Sequence, residues 1–147
     1  MKNSINTSNL LLSRLSQFSR LSAKVIARRL TPVGVSLQEM LIVGLVMGEA
    51  NITQKDLAEK LSVRAATLSV TVTKLEKQGL VKKRPSEADK RIQFLTLQPS
   101  EKFSQVDQLL EGLEAEVTEG ISKKDLAVTY KVVSRLIENV NKIGATS

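Results

Sequence analysis

Residues 53–97 run TQKDLAEKLSV (53–63), RAATLSVTVTKLEKQGLV (64–81) and KKRPSEADKRIQFLTL (82–97), and the reading of these three pieces decides the fold. Thr53 with Asp56 three residues on is a helix-start signature, because each side chain can satisfy a free backbone N–H of the first turn. Leu57, Ala58 and Leu61 give that helix one inward face, and Ser62-Val63 supply a turn. A second helix is predicted over residues 64–78, stopped by Gly79, the residue type that most easily takes the left-handed conformation at a helix end. Leu80-Val81 open a strand, PSEAD (85–89) makes a turn, and residues 91–97 return as a second strand. Helix, turn, helix and a basic two-stranded hairpin in that order predict a winged helix-turn-helix.

The second of these helices divides into two faces. Ala65, Leu68, Val72 and Leu75 fall together at helical spacing and are expected to pack inward. The opposite face gathers Ala66, Thr67, Val70, Thr73, Lys74 and Lys77 and holds no acid. Short side chains let a helix approach base edges closely: methyl groups suit thymine, hydroxyls suit either base type, and lysines suit phosphates. Arg64, at the helix start, is the candidate for a bidentate guanine contact. In the hairpin, Lys82, Lys83, Arg84, Lys90 and Arg91 place five cations within ten residues, with Asp89 spaced to buttress Arg91 and Lys90 left at the tip. Double-stranded DNA is therefore the expected partner. A winged helix that binds protein instead is the alternative, and an exposed Val70 would serve it equally; the hairpin cations favour DNA.

Composition outside this stretch agrees. The chain has 147 residues, of which 41% are hydrophobic and 25% charged, the proportions of a folded globular protein. Aromatics are only 3%, so Leu, Ile and Val must build the core. The net charge of +7 is uneven: +6 over residues 1–35, −2 over 36–62, +5 over 63–97 and −2 over 98–147. A positive balance points to a polyanion, nucleic acid or membrane, and the coincidence of the +5 segment with the winged-helix pattern favours nucleic acid. With no His and no Cys there is no conventional zinc, copper or iron–sulfur site, no thiol chemistry and no Ser-His or Cys-His nucleophile pair. No enzyme activity, metal or cofactor is expected. The first thirty residues, rich in Ser and Arg and free of acid, also fit a mitochondrial transit peptide. The longest apolar stretch, residues 40–47, is far short of a membrane span, so a cytoplasmic protein with no membrane partner is expected.

Long helices flank the winged helix. One is predicted over residues 8–30, with Leu11, Leu15, Phe18, Ser22 and Val25 in a stripe, ended by Thr31-Pro32-Val33-Gly34. Ser36 and Glu39 form a second capping box, opening MLIVGLVMG (40–48), a run apolar on every side that suits a helix enclosed by others, with Gly44 and Gly48 suggesting close approach of a neighbour. Over residues 100–144, Phe103, Val106, Leu110, Leu113 and Val117 form one stripe and Leu126, Tyr130, Val133, Ile137 and Val140 another, separated by Gly120 and the cap Ser122. The expected fold is mainly α with a small β-hairpin wing. It is a single domain, 1–147, with the DNA-binding region at 36–97 and a dimerisation region at 8–30 and 100–144. Leu11, Leu15 and the Leu126–Val140 stripe would form the intermolecular seam.

Three segments carry a specific resemblance. Asp89-Lys90-Arg91 followed by a strand ending at Leu97, LEKQGLV (75–81) and GISKKDL (120–126) are together similar to the MarR family of bacterial transcriptional regulators, across essentially the whole chain. The chain departs from that pattern at Gln98, where the family often has Thr, which shifts the next helix cap to Ser100. It departs again at Val70, where Arg is common, and at Thr71, where an apolar residue is common and the hydroxyl is expected to loosen packing. The resemblance implies a triangular homodimer on a pseudo-palindromic operator, with the first and last helices interlocked, acting as a repressor or activator. It also implies a pocket for a small organic ligand, lined by helix position around Phe18, Leu21, Val25, Met40, Val43 and Phe103; plain core packing is the stronger reading of each one taken singly. Peroxide and zinc sensing in this family use Cys or His, which the chain lacks. Arg14, Arg20, Lys24, Arg28 and Arg29 on the first helix suit an anionic ligand, or extend the DNA-facing field.

Overall fold

Six α-helices and one hairpin make up residues 10–145, which the computed structural model describes: α1 Leu11–Leu30, α2 Leu37–Gly48, α3 Gln54–Leu61, α4 Ala65–Lys77, β1 Val81–Pro85, β2 Gln93–Leu97, α5 Glu101–Val117 and α6 Lys123–Ala145. Contacts divide the chain within α5, into one unit ending at Leu109 and a second starting at Leu110.

In the first unit, α1 starts at Leu11, later than expected; Leu10 is extended, and Ser8 and Asn9 lie outside the described residues. Pro32 does not break the helix ahead of it. Thr31 stays right-handed, its hydroxyl donating to the Ala27 carbonyl at 3.0 Å, and the chain runs on into a 3₁₀ turn, Thr31–Val33. Gly34, at φ 71°, makes the actual stop. Both predicted capping boxes are present. The Ser36 N–H donates to Glu39 Oε2 at 2.9 Å and the Glu39 N–H to Ser36 Oγ at 3.1 Å, while Thr53 and Asp56 exchange the same pair of bonds at 2.8 and 3.1 Å.

Helix α2 is not enclosed as its composition suggests. Ile42 and Val46 are buried, but Leu41 and Met47 are exposed. Among the described residues the glycines of α2 do not mark a close approach either: a Cβ added at Gly44 or Gly48 would meet nothing within 4 Å. The core lies lower, where Ile42, Val46, Ile52, Leu57, Leu68, Val72, Leu75, Leu80, Val81 and Leu95 form one cluster beneath α4 and the hairpin. Ala65, expected to face inward, is exposed, because the core contact of α4 begins one turn later at Leu68. Ser62 (φ 52°) and Gly79 (φ 70°) end α3 and α4 in the left-handed conformation, and Val63 and Leu80 donate back to the Ala58 and Leu75 carbonyls at 3.0 Å.

The strands pair antiparallel with Val81 opposite Leu97 and Pro85 opposite Gln93. The second strand starts at Gln93 rather than Arg91, since residues 90–92 complete the turn: the Ile92 N–H donates to Asp89 O and the Ser86 N–H to Ile92 O, both at 2.9 Å. A third chain segment joins the hairpin, the Leu95 N–H donating to the Ile52 carbonyl at 2.9 Å. Ser100 caps α5 as expected, its hydroxyl accepting from the Lys102 N–H at 3.2 Å.

In the second unit, Gly120 (φ 76°) ends α5 and Ser122 caps α6, accepting from the Asp125 N–H at 3.0 Å. Tyr130 donates its hydroxyl to Glu114 Oε1 at 2.8 Å. Among the described residues, no single helix is long and apolar enough to cross a membrane.

Leu68 touches no solvent and sits mid-core. Truncation to alanine removes its packing and leaves a cavity, so Leu68→Ala should lower unfolding free energy by about 2–5 kcal/mol in urea titration; a loss near zero would mean that α4 is not anchored there.

Candidate nucleic-acid interface

Helix α4 presents Ala66, Thr67, Val70, Thr73, Lys74 and Lys77 to solvent, opposite the buried Leu68, Val72 and Leu75. Val70 is 72% exposed, a degree that an aliphatic side chain reaches only when nothing in its own chain covers it. Ser69, Val70, Thr73, Lys74 and Lys77 line a shallow depression on this face. Arg64 precedes the first turn in an extended conformation and is exposed, and its side chain does not cap the helix.

The wing carries its cations in two different states. Arg84 reaches across to the α2–α3 loop, its Nη2 donating to Asn51 Oδ1 at 2.7 Å while its guanidinium lies 5.3 Å from the centre of the Phe94 ring. Asn51 adopts φ 62°, a left-handed conformation that asparagine tolerates better than most residues. Neither partner of Arg84 is an acid. Arg91 is held as its spacing predicts: Nε donates to Asp89 Oδ1 at 3.1 Å, Nη2 to Oδ2 at 3.0 Å, and the backbone N–H to Oδ1 at 3.0 Å. These bonds hold the Asp89 carboxyl below its ordinary 3.8 and raise the Arg91 pKa. The guanidinium is aimed at the cost of part of its field.

Two further lysines are occupied. Lys83 Nζ stands 3.4 Å from Glu76 Oε2. Lys74 Nζ stands 2.6 Å from Oε1 of Glu39, a carboxylate of which only 2% is exposed. Burial pushes the Glu39 pKa up, but the Lys74 ammonium and the Ser36 N–H outweigh it and hold the group below its ordinary 4.5. Lys74 therefore arrives at the surface with its charge already balanced. Among the described residues, Arg64, Lys77, Lys82 and Lys90 have no ion-pair partner.

Sequence reasoning gave Glu39 its capping role but revealed neither its pairing with Lys74 nor the part of Asn51, because those partners lie far along the chain. Nor did it give Thr71 its part. The hydroxyl stands 3.1 Å from Gln38 Oε1 and 3.3 Å from the Thr67 carbonyl, so it ties α4 to α2 rather than loosening the helix. The side chains expected at a ligand pocket do not share one environment: Phe18, Leu21 and Val25 are exposed on α1, Met40 and Val43 are half-buried on α2, and Phe103 packs against the winged-helix core. Leu11 and Tyr130, Ile137 and Val140 are exposed within their own units, with Leu15, Leu126 and Val133 half-buried.

Comparison with known proteins agrees with this geometry. The sequence model of the MarR family matches residues 33–92. The HTH-type transcriptional regulator YwoH of Bacillus subtilis strain 168 is 27% identical over 117 residues, covering 78% of this chain and 85% of YwoH. The crystal structure of transcriptional regulator PA3341 superposes with a TM-score of 0.75 at 26% identity, covering 88% of this chain and 97% of that one. CouR shares the fold at 17% identity in two structures. One is bound to a 23-mer DNA duplex (TM-score 0.74, 88% of this chain and 94% of CouR). The other, from Rhodococcus jostii RHA1, is bound to p-coumaroyl-CoA (TM-score 0.71, 90% and 95%).

The depressed Glu39 pKa has a defined sign in solution. Its contribution to stability is intact above its ordinary value of 4.5 and is lost as pH falls through the lower folded value. Lys74→Met removes the bonded ammonium and leaves only the Ser36 N–H and the weaker attraction of Lys102 against burial, so urea midpoints measured against pH should begin to fall at higher pH in that variant. Coincident acid limbs would contradict the pairing.

Proposed function

We propose that this chain is a MarR-like, DNA-binding transcriptional regulator that acts as a homodimer on a pseudo-palindromic operator and releases it on binding a small organic anion. The observation that carries this reading is the outward face of α4, an acid-free row of small side chains flanked by Arg64 and Lys77, neither of which has an ion-pair partner among the described residues. Arg64 reads a base pair and Ala66, Thr67, Val70 and Thr73 fit the major-groove floor. Lys77, Lys82, Arg84 and Lys90 meet phosphates, and Arg91, aimed by Asp89, enters the minor groove.

A second copy of the chain covers the exposed apolar side chains of its terminal helices, Leu11, Leu12, Phe18 and Leu21 on α1 and Tyr130, Ile137, Val140 and Ile143 on α6. Rows of this extent are a liability on a free monomer. The dimer also supplies the two recognition helices that a palindrome requires, about one helical turn of DNA apart. The ligand reading is supported by CouR, which binds p-coumaroyl-CoA, and by the exposed Arg14, Arg20, Lys24 and Arg28 on α1. A ligand releases DNA only by binding the two dimer states unequally, so operator must weaken the ligand by the same factor.

Four phosphate contacts per subunit give a dimer about eight, and log K should fall against log salt with a slope of about −7 in gel shift or fluorescence titration. Arg64→Ala should cost roughly 1–3 kcal/mol at one base pair and relax specificity there, whereas Arg91→Ala should weaken binding to all sequences. The same uniform loss in both variants would contradict this division, and no DNA affinity at any salt would leave a protein-binding winged helix. Val133→Glu combined with Ile137→Glu should yield monomer in sedimentation at micromolar concentration; a wild-type protein of monomer mass would refute the dimer.

A further inference from the structure

The contact between α2 and α4 is partly polar. Two consecutive residues of the first turn of α2, Gln38 and Glu39, each meet a residue of the recognition helix: Gln38 accepts from the Thr71 hydroxyl at 3.1 Å, and Glu39 holds the Lys74 ammonium at 2.6 Å. Thr71 and Lys74 are three apart, so both bonds leave the same side of α4, one turn from each other. Two such tethers fix what an aliphatic contact leaves soft, the rotation of a helix about its own axis. Both oxygens of the carboxylate are engaged, Oε1 by Lys74 and Oε2 by the Ser36 N–H. The ammonium is not fully used. The Lys74 side chain is 57% exposed and shares a surface depression with Val70, Thr73 and Lys77 on the DNA-facing side.

Resting on the DNA-binding reading above, we propose that Glu39 is a specificity-determining positioning residue. It withholds the Lys74 ammonium from the phosphate backbone and, together with the Gln38–Thr71 bond, sets the rotation of the recognition helix. A lysine on this face would otherwise add a sequence-independent attraction to any DNA, because phosphate contacts carry no sequence information. A buried carboxylate competes for that lysine without contacting DNA itself. Glu39 thus lowers affinity for all duplexes and raises the ratio between the operator and the rest.

Glu39→Gln tests this with little change of shape. The amide oxygen can still accept from the Ser36 N–H, which turns the NH₂ group toward Lys74, donor against donor, and sends the lysine out to solvent. The full-length variant should bind random-sequence duplex more tightly, with a salt slope steeper by about 0.9 per subunit, and its operator-to-random ratio should fall. Lys74→Gln keeps a donor for Glu39 and removes the charge; its salt slope should equal that of the wild type, and adding it to Glu39→Gln should cancel the steepening. An unchanged slope in Glu39→Gln, or a slope shallower by about 0.9 per subunit in Lys74→Gln alone, would overturn the proposal. Thermal midpoints of the two single variants and the double variant supply a readout without DNA. Non-additive losses support the latch and additive losses refute it, even if the parent DNA-binding reading fails because the wild type binds no duplex.

Discussion

Helix α4 must be anchored on one side firmly enough to be left bare on the other. Thirteen residues make under four turns, too few to be stable alone in water, so the helix exists because Leu68, Val72 and Leu75 are removed from solvent. Every neighbouring element can be understood as meeting that requirement. Helices α2 and α3 supply Ile42, Val46 and Leu57 as the floor, and Leu80, Val81 and Leu95 close the cluster from the wing side. Because the anchor is aliphatic and fully buried, the outer face is free to be small and acid-free, a composition with no packing purpose of its own.

Charge at this surface is partitioned rather than summed. A count of cations between Arg64 and Arg91 overstates the positive field, since Lys74, Lys83 and Arg91 each face a carboxylate. The three pairs are of different kinds. That of Arg91 with Asp89 is local and exposed, and it aims a guanidinium. That of Lys83 with Glu76 ties the first strand back to the end of α4. That of Lys74 with Glu39 joins a surface ammonium to a carboxylate inside the fold, where geometry is held most firmly.

Local chemistry was legible in the sequence and distant pairing was not. The boxes at Ser36/Glu39 and Thr53/Asp56, the Gly79 stop, the Ser122 cap and the Asp89–Arg91 brace all involve partners within a few residues, where spacing alone dictates geometry. The Arg84–Asn51 and Thr71–Gln38 bonds join residues 33 apart, and nothing in either segment announces the other. Glu39 shows the limit most clearly: its capping role is written in the spacing, while its second role depends on how α2 crosses α4. Helix α2 misleads for a related reason. An all-round apolar run implies burial, yet Leu41 and Met47 remain exposed, because α2 meets its neighbours through Ile42 and Val46 on one side only.

The hydrogen bond from Leu95 to Ile52 changes what kind of object the wing is. A two-stranded hairpin alone is barely stable in water, but here the inner strand is stitched on its far side to a segment of the helical body and buries Leu95. The base of the hairpin is thereby part of the frame, while residues 86–92 beyond it are mostly exposed. Such a division makes the tip an interchangeable part. Its length and charge can drift over generations without disturbing the cooperative unit below, so descendants of this chain can change what the tip presents while inheriting the same scaffold.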